Sequence, residues 1–377
     1  MKRRDAAQRG GQQKPAIALF CSHPANRGGT GSAAAALANR LVQDYNVYML
    51  ASHGLGEQQF FSLDPRVIVK VFSAHPARLR TMIPQLYGPV KRYLREQGID
   101  VVLAVGNTQA YNLLPVAATL RSTRFVYCDH GSLEVQWDQS ENRLLNRLSV
   151  RFFDAIVTLT QRNRQNYLDR LHANPAKVQV IHNWIDTELI ARPVVYDLQA
   201  KRLLWAGRLD SEKGVDLLLD IAEELLPAFP AWEWHVFGAG ELEDMFREQV
   251  RLRGLEGQLI LKGYTQNLAE HYARYAVVTL TSYREGLPLV LLEGKAFGLP
   301  LISFDVVTGP REIIRDGTDG FLIDCYDVVA YARRLAQLMD SAELRARMSA
   351  ASQETLGLFE QETIYGQWKS LIEQITA

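Results

Sequence analysis

Residues Ser282 to Pro300 are the most informative part of the sequence and read Ser-Tyr-Arg-Glu-Gly-Leu-Pro-Leu-Val-Leu-Leu-Glu-Gly-Lys-Ala-Phe-Gly-Leu-Pro. Two carboxylates, Glu285 and Glu293, stand eight positions apart around a Gly-Leu-Pro turn. Pro288 suits the first turn of a helix, and Glu293 is expected about two turns into that helix. The free N–H groups at such a helix start, together with the helix dipole, favour a phosphate. The segment therefore predicts a strand, a loop carboxylate and an anion-binding helix start.

Short apolar runs alternate with helical patterns around this stretch. The second half predicts strands at Arg202–Ala206, Trp232–Phe237, Leu259–Lys262, Val277–Leu280 and Leu301–Ser303. The first half predicts strands at Ala16–Cys21, Tyr45–Ala51, Val67–Phe72, Val101–Val105, Phe125–Cys128 and Ala155–Leu159, with helices such as Ser32–Gln43 and Leu86–Gln97 between them. This βα alternation indicates parallel sheets wrapped by helices.

The length of 377 residues exceeds what one hydrophobic core usually serves, so two domains are expected. We predict a basic tail over 1–14, a first Rossmann-like domain over 15–190 and a second over 191–358. Residues 359–377 are expected to form a C-terminal helix that packs back on the first domain. Pro193 lies in the predicted linker. Because parallel sheets bind ligands beyond the carboxyl ends of their strands, the site should lie in the cleft between the domains.

The composition is that of a water-soluble folded protein, with 47% apolar and 22% charged residues. No apolar run approaches the roughly 18 residues that a membrane-spanning helix needs. Cys21, Cys128 and Cys325 are odd in number and widely spaced, which argues against a disulfide framework or a zinc site. We therefore expect a protein of the reducing cytoplasm.

The net charge of zero hides an asymmetry between the two halves. Residues 1–186 carry 23 Lys or Arg against 13 Asp or Glu, and the remainder carries 19 against 29. Part of the positive charge, in Arg78, Arg80, Lys91, Arg92 and Arg95, is interleaved with apolar residues at helical spacing. A basic amphipathic helix of this kind suits peripheral contact with an anionic membrane. A solvated helix face is the alternative, and nucleic acid is not expected because no stacking aromatics accompany the basic residues.

The Glu285–Glu293 segment resembles the Glu-x7-Glu signature of family 4 retaining glycosyltransferases, which have the GT-B fold of two facing Rossmann-like domains. The resemblance extends over most of the chain. It implies that Glu285 contacts hydroxyls of the donor sugar and that Glu293 binds the ribose of a nucleotide-sugar. The backbone of Gly286, Leu287, Pro288 and Leu289 would meet the sugar and the diphosphate.

A second element, Gly207-Arg208-Leu-Asp-Ser-Glu-Lys213-Gly214, follows the first strand of the second half. It resembles the Gly-Arg-x4-Lys-Gly motif of the same family. Cations at the carboxyl end of a strand can neutralise a departing diphosphate, with Arg as a planar fork and Lys as a point charge. We predict that role for Arg208 and Lys213, although such a pair is elsewhere often surface salt-bridge material.

Two elements of the first half resemble weaker family motifs, and a nearby glutamate is a further candidate. The glycine-rich loop with Gly28 and Gly29 joins the first strand to a helix and is expected to approach the donor, although a ligand-free tight turn would also explain it. His130 follows a strand and is expected within reach of the transferred sugar, against the alternative of an ordinary loop histidine. Glu134 could engage the acceptor or the sugar.

Further motifs have subordinate roles. Gly263 and Tyr264 follow a strand and match the turn on the nucleotide side. The segment around Asn183 resembles an interdomain Asn-Gly-[Val/Ile]-Asp motif, with Trp184 in place of the small residue, and its role is expected to be structural. The segment Thr308–Ile314, with Glu312, resembles a late Gly-x-x-Glu-[Ile/Val] motif.

The predicted reaction needs no cofactor, since the nucleotide-sugar is a co-substrate. No Asp-x-Asp triplet is present, so no metal is expected. The predicted donor is a UDP-sugar that carries a hexose or N-acetylhexosamine, and the acceptor is a saccharide or lipid-linked saccharide of a cell-surface polysaccharide or lipopolysaccharide. A phosphate oxygen would accept the acceptor's proton.

Other functions remain open on the sequence. Gly238-Ala-Gly240 after a strand suggests a nicotinamide-dependent oxidoreductase, but Glu243 stands where the third glycine should be. A non-catalytic carbohydrate-binding or scaffold protein is a second alternative. A nucleotide-sugar epimerase or a glycogen-type synthase of the same fold is a third.

Overall fold

The computed structural model describes residues 14–22, 29–54, 62–76, 78–137, 140–191 and 196–377. The first sheet is built from β1 (Ala16–Cys21), β2 (Asn46–Ala51), β3 (Ile68–Val71), β4 (Val101–Val105), β5 (Arg124–Asp129), β6 (Ala155–Thr158) and β7 (Val178–Val180). Its strands are all parallel, in the order β3-β2-β1-β4-β5-β6-β7. Strands β1 and β4 are buried at each residue, as a parallel sheet covered on both faces requires.

The first domain's helices are α1 (Gly29–Leu41), α2 (Leu79–Glu96), α3 (Asn107–Thr119), α4 (Leu133–Gln136), α5 (Ser140–Phe152) and α6 (Gln161–Leu171). One core cluster packs α2 and α3 against one face of the sheet, and another packs α1 against the opposite face. A short helix, α7 (Thr187–Ile190), lies in the segment predicted as a linker.

The second sheet is built from β8 (Arg202–Ala206), β9 (Glu233–Phe237), β10 (Leu259–Gly263), β11 (Val277–Leu280), β12 (Leu301–Phe304) and β13 (Gly320–Ile323). It is also parallel, in the order β10-β9-β8-β11-β12-β13. Its helices are α8 (Val215–Leu225), α9 (Glu243–Leu252), α10 (Leu289–Ala296), α11 (Pro310–Ile313), α12 (Val328–Asp340) and α13 (Ala342–Ser352). The two parallel α/β units confirm the predicted fold class.

The last helix, α14 (Gln361–Thr376), returns to the first sheet. Its Ile364 and Trp368 belong to the same core cluster as the buried residues of α1. At its start, Glu362 accepts two hydrogen bonds from Arg40, at 2.9 and 2.8 Å, and Tyr365 donates to Asp44. The end of the chain is therefore part of the first domain's core.

The basic amphipathic stretch forms α2, but its apolar side is not available to a membrane. Met82, Leu86 and Val90 are buried in the core beneath the helix, together with Leu94. The expectation of an apolar membrane-inserting face is therefore wrong, because the first domain's own sheet and α3 cover that face. The arginines of the opposite side remain exposed.

Two predicted helix boundaries also differ. Helix α10 begins at Leu289, with Pro288 as its N-cap in an extended conformation, so Glu293 lies little more than one turn into the helix. Helix α2 begins at Leu79 and continues through Pro84 and Pro89. A proline removes one backbone hydrogen bond, but burial of the helix's apolar stripe compensates for that loss here.

Candidate active site between the two domains

Two predicted site residues of the second domain form a direct ion pair. Lys213 Nζ lies 2.6 Å from Glu285 Oε1, and the side chain of Glu285 is only 7% exposed. The residues are 72 positions apart, but they follow β8 and β11, which are neighbours in the sheet. The structure therefore brings together the second motif and the loop carboxylate of the first.

The backbone at Lys213 is held by a buried threonine at the end of β11. The Thr281 hydroxyl lies within hydrogen-bond distance of the carbonyl oxygens of Lys213 and Gly214, at 3.2 and 3.0 Å. It also accepts a hydrogen bond from the indole N–H of Trp205 at 2.9 Å. These hydrogen bonds thus fix the turn that carries Lys213 beside the neighbouring strands β8 and β11.

Arg208 is already compensated by carboxylates in this structure. Its guanidinium lies 3.0 Å from Asp210 and 3.3 Å from Glu212, with the side chain 56% exposed. The Glu212 side chain is 53% exposed and that of Asp210 15%, and ion pairs open to solvent contribute little to stability. Arg208 can therefore leave its two partners for an anionic ligand at small cost.

Glu293 lies in α10 and is held by a buried tyrosine. The Tyr272 hydroxyl donates to Glu293 Oε2 at 2.8 Å. Burial raises the pKa of Glu293 to about 7, the hydrogen bond from Tyr272 opposes that rise, and the charge of Asp186 adds to it. The carboxyl is thus close to half-ionised at neutral pH.

Two helix starts lie close together across the cleft. A β-carbon at Gly29, the first residue of α1, would lie 3.6 Å from Cδ1 of Leu289, the first residue of α10. Helix starts present unpaired N–H groups and partial positive charge. Gly28, the other predicted glycine of this loop, lies outside the described residues.

The loop after Glu285 touches the loop of His130. A β-carbon at Gly286 would stand 2.1 Å from the carbonyl oxygen of His130, so the backbones of the two domains are in contact there. Burial lowers the pKa of the His130 imidazole to about 4, so the ring is neutral at physiological pH. The structure thus places the backbone of His130 beside the loop that follows Glu285, and the role of His130 toward a sugar stays a prediction.

A buried carboxylate that the sequence analysis did not single out fixes the turn at His130. Asp129 is 1% exposed and accepts hydrogen bonds from Gly131 N–H, Asn163 Nδ2 and the Tyr167 hydroxyl at 3.0, 3.0 and 2.9 Å. The role of Asp129 could have been predicted from the sequence. An acidic residue at the end of a buried strand and directly before His-Gly suits a turn in which the side chain accepts a hydrogen bond from the backbone.

Glu134 points to α6 of its own domain. Its carboxylate lies 3.3 Å from Arg170 and 3.8 Å from Arg162, and it accepts a hydrogen bond from Asn166 at 3.4 Å. Its role toward an acceptor stays a prediction.

The late motif supplies a second contact between the domains. Glu312 Oε1 accepts a hydrogen bond from the backbone N–H of Gln161, the first residue of α6, at 2.8 Å. A carboxylate at a helix start is electrostatically favourable. The motif at Glu312 is visible in the sequence, but no local pattern indicates its partner, which lies 151 positions earlier.

Four motif residues remain, two at the end of β10 and two in the interdomain segment. Gly263 ends β10, and Tyr264 after it is 46% exposed. Asn183 and Trp184 line a cavity of about 40 Å³ whose wall also contains His130. Trp184 thus packs against the core of the first domain at a position where the family motif has a small residue.

The glycines that suggested a nicotinamide cofactor have a packing role. A β-carbon at Gly238 would lie 1.9 Å from the Gly207 carbonyl oxygen, and one at Gly240 would lie 2.3 Å from that of Leu209. These glycines let the loop after β9 pack on the loop that contains Arg208.

Several negative observations apply to the described residues alone. No cluster of three His, Cys, Asp or Glu with metal-binding geometry occurs among them. No helix of the described ranges is long and apolar enough to cross a membrane. Cys21, Cys128 and Cys325 are free.

Two family models match the chain. The one described as Glycosyltransferase Family 4 matches residues 27–189, and the one described as Glycosyl transferases group 1 matches residues 186–355. Together they span both domains and contain each predicted site residue.

Curated bacterial relatives match almost the whole chain. An exopolysaccharide phosphotransferase of Streptomyces coelicolor is 28% identical over 93% of this chain, which spans only 40% of that protein. The amylovoran biosynthesis glycosyltransferase AmsD of Erwinia amylovora is 27% identical over 92% of this chain and 96% of its own length. An α-1,4-N-acetyl-D-galactosaminyltransferase of Campylobacter jejuni, named for an undecaprenol diphosphate-linked substrate, is 25% identical over 93% of this chain and 96% of its own.

Solved structures show the same fold. Sucrose-phosphate synthase from Thermosynechococcus elongatus has a TM-score of 0.82 at 17% identity and covers 96% of this chain and 99% of its own. Anabaena HepE in complex with UDP and glucose has a TM-score of 0.78 at 18% identity and covers 94% of this chain and 99% of its own. The chain is a glycosyltransferase and belongs to family 4, with the GT-B fold.

Proposed function

We propose that the protein transfers a hexose or N-acetylhexosamine from a nucleotide-sugar, with retention of configuration and without a metal ion. The observation that carries the proposal is the Lys213–Glu285 pair, 2.6 Å long, in the loop that contacts His130 of the other domain through Gly286. A cation, a sugar-binding carboxylate and a neutral imidazole thus border one cleft.

The diphosphate of the donor is assigned to the space between the two helix starts. Gly29 and Leu289 begin α1 and α10 there, and free backbone N–H groups with the helix dipoles favour an anion. Arg208 and Lys213 supply positive charge, which becomes more valuable as negative charge develops on the leaving phosphate. Glu293 is assigned to the ribose hydroxyls.

The proposed reaction needs no side-chain nucleophile. The acceptor hydroxyl oxygen forms a bond to the anomeric carbon on the face from which the diphosphate departs, and the bond between that carbon and the phosphate oxygen breaks. The hydroxyl proton passes to the departing phosphate, so the products are a glycoside and a nucleoside diphosphate. His130, with its pKa lowered to about 4, is a weak base suited to hydrogen bonding with the sugar.

The substrate class is proposed from the relatives and neighbours. UDP is the nucleotide bound in the HepE structure, which supports a UDP-sugar donor here. The names of the Erwinia and Campylobacter relatives refer to an exopolysaccharide and to a polyprenol-linked saccharide. We therefore propose a saccharide or lipid-linked acceptor in cell-surface polysaccharide or lipopolysaccharide synthesis at the cytoplasmic face of a membrane.

The test uses purified protein with UDP-, GDP- and ADP-sugars and a bacterial lipid extract or saccharide acceptors, with and without EDTA. The expected result is transfer from one nucleotide class, unaffected by EDTA, with an α-linked product from an α-linked donor by NMR of the anomeric proton. An inverted linkage or loss of transfer with EDTA would contradict the mechanism. Absence of nucleotide binding would contradict the function.

Peripheral membrane contact is a separate part of the proposal, and the structure limits its form. The apolar side of α2 is in the core, whereas Arg92 and Arg95 are exposed without an ion-pair partner among the described residues. Contact with anionic lipid would therefore be electrostatic and sensitive to salt.

Flotation with phosphatidylglycerol-containing vesicles tests this contact. Binding at low salt that is lost in 0.5 M NaCl and in the Arg92→Glu/Arg95→Glu variant is expected. The Arg333→Glu/Arg347→Glu variant, with the same charge change on the acidic second half, should bind as the wild type does. Equal behaviour of the two variants, or binding to neutral vesicles, would contradict it.

A further inference from the structure

The carboxylate assigned to the ribose is held by a residue that no motif marks. Tyr272 lies in a short 3-10 turn, Tyr272–Arg274, between β10 and β11, and is fully buried. This segment follows Gly263 and Tyr264, the predicted nucleotide-side turn. Tyr272 therefore links the segment between β10 and β11 to the carboxylate of α10.

The geometry of the contact fixes one carboxylate oxygen. The Tyr272 hydroxyl lies 2.8 Å from Glu293 Oε2 and 3.4 Å from the Val290 carbonyl oxygen, so the shorter contact to Glu293 is the favoured hydrogen bond. The Tyr272 ring stacks on Phe297 at the end of α10, with centroids 5.1 Å apart and planes 22° apart. The Tyr272 ring is thus held against α10, and its hydroxyl is hydrogen-bonded to Oε2 of Glu293.

The electrostatics of the pair indicate that Tyr272 affects the ionisation of the Glu293 carboxyl as well as its orientation. The groups that act on the Glu293 carboxyl are the Tyr272 hydroxyl and the Asp186 carboxylate of the interdomain segment. Burial raises the pKa of Tyr272 well above its ordinary value, so the phenol stays protonated and can only donate to an ionised carboxylate. Asp186 opposes ionisation of Glu293, and Tyr272 favours it.

We propose that Tyr272 is a positioning residue for the donor nucleotide: its hydroxyl holds Oε2 of Glu293 and leaves Oε1 for the ribose hydroxyls. The protein then discriminates ribonucleotides from 2′-deoxyribonucleotides through the Glu293 carboxylate, whose orientation Tyr272 fixes. The inference rests on the proposed function, because it assumes a nucleotide at Glu293.

The decisive variant is Tyr272→Phe, which keeps the stacked ring and removes the hydroxyl. Tyr275→Phe is the matched control, since Tyr275 is also buried in the same segment and its hydroxyl lies 2.8 Å from His235 Nδ1 instead of Glu293. Calorimetry measures Kd for UDP, GDP and ADP and their 2′-deoxy forms between pH 6 and 9.

Wild-type protein is expected to prefer the ribonucleotide by about tenfold or more, as hydrogen bonds to a charged group imply. In Tyr272→Phe this preference should shrink about tenfold at pH 7, and the pH midpoint of binding should move upward because the ionised carboxyl has lost its donor. Affinity should recover at higher pH. Tyr275→Phe should leave both the preference and the midpoint unchanged.

The binding experiments distinguish a wrong assignment of Tyr272 from a wrong assignment of the function. No binding of any nucleotide by the wild type would refute the proposed function. Nucleotide binding with the same ribose preference and midpoint in Tyr272→Phe, or equal changes in Tyr275→Phe, would overturn the role of Tyr272 alone.

A second variant covers the case in which Tyr272→Phe does not fold. Site-specific 3-fluorotyrosine at position 272 keeps the shape of the ring and makes the phenol a stronger donor. It should lower the pH midpoint of nucleotide binding below that of the wild type. An unchanged or raised midpoint would contradict the proposal.

Discussion

Gly286 lies with its α-carbon against the carbonyl oxygen of His130, so closely that a β-carbon would stand 2.1 Å from that oxygen. Gly286 belongs to the loop that follows Glu285 in the second domain, and His130 belongs to the first domain. The close approach of the two domains at the predicted site therefore depends on the absence of a side chain at position 286.

The first prediction is that Gly286→Ala keeps nucleotide binding but loses transfer. The second domain should fold normally, because the backbone at 286 is not left-handed and the obstruction comes from the first domain. Holding the domains apart by about 1 Å is enough to cost about 10²-fold in rate. Timed transfer assays measure the rate of sugar transfer, and calorimetry on the same variant measures nucleotide affinity.

Gly257→Ala is the control, since a β-carbon there meets no atom within 4 Å. Wild-type turnover by Gly286→Ala would show that the contact with His130 is not part of the active arrangement.

The pairing of Lys213 with Glu285 illustrates what the sequence could predict. Each residue was predicted from its own motif, but their ion pair depends on β8 and β11 being neighbours, which no local pattern encodes. The strand β7 was missed because three residues, Val178–Val180, give too short an apolar run. For α2 the periodicity predicted an apolar face correctly, but it could not show that α3 and the sheet cover it.

The second prediction concerns that ion pair. Lys213→Met should reduce transfer by roughly 10² to 10³, the usual effect of removing one charge-stabilising group from an active site. Glu285→Gln should also lose transfer, because the amide cannot replace the carboxylate toward sugar hydroxyls. Steady-state kinetics with the donor found by the nucleotide-sugar assay measure both effects. Lys369→Met, a change of the same kind at an exposed position of α14, is the control.

The double variant Lys213→Met/Glu285→Gln separates catalysis from stability. It should be more stable than Lys213→Met, which leaves a nearly buried carboxylate unpaired, but no more active. Recovery of transfer in the double variant would mean that the pair is only structural.

The third prediction is the pH dependence of donor binding. Because burial raises the pKa of Glu293 to about 7, the carboxyl is protonated below that pH and accepts ribose hydroxyl hydrogen bonds poorly. Affinity should therefore fall by about tenfold per pH unit below the midpoint and level off above it. Calorimetry from pH 5.5 to 9 measures this dependence.

The comparison variant is Glu293→Gln, which cannot ionise and should bind weakly with no slope in this range. His130, with a pKa near 4, does not titrate there and should add nothing. The same acid slope in Glu293→Gln would assign the dependence to another group.

The fourth prediction concerns the core of the second domain. Lys295 and Asp319 are both fully buried and lie 2.8 Å apart, and Arg315 adds a contact of 2.9 Å to the same carboxylate oxygen. Replacement Asp319→Leu leaves the buried ammonium unpaired and should cost about 3 to 5 kcal/mol of unfolding free energy. Urea denaturation followed by fluorescence measures the change.

Glu354→Gln serves as the reference for this experiment, because it removes only the exposed partner of Arg315 and should cost less than about 1 kcal/mol. Equal costs for the two variants would contradict a special role of the buried pair.

Binding of a nucleotide-sugar by the Glu285–Glu293 segment can be measured by a thermal-shift and calorimetric screen of UDP-, GDP- and ADP-sugars. Wild-type protein, Glu293→Ala and the exposed-surface control Glu343→Ala are compared. We expect one nucleotide class to stabilise the wild type and the control but not Glu293→Ala. Equal stabilisation of Glu293→Ala, or no response of the wild type to any nucleotide, would contradict it.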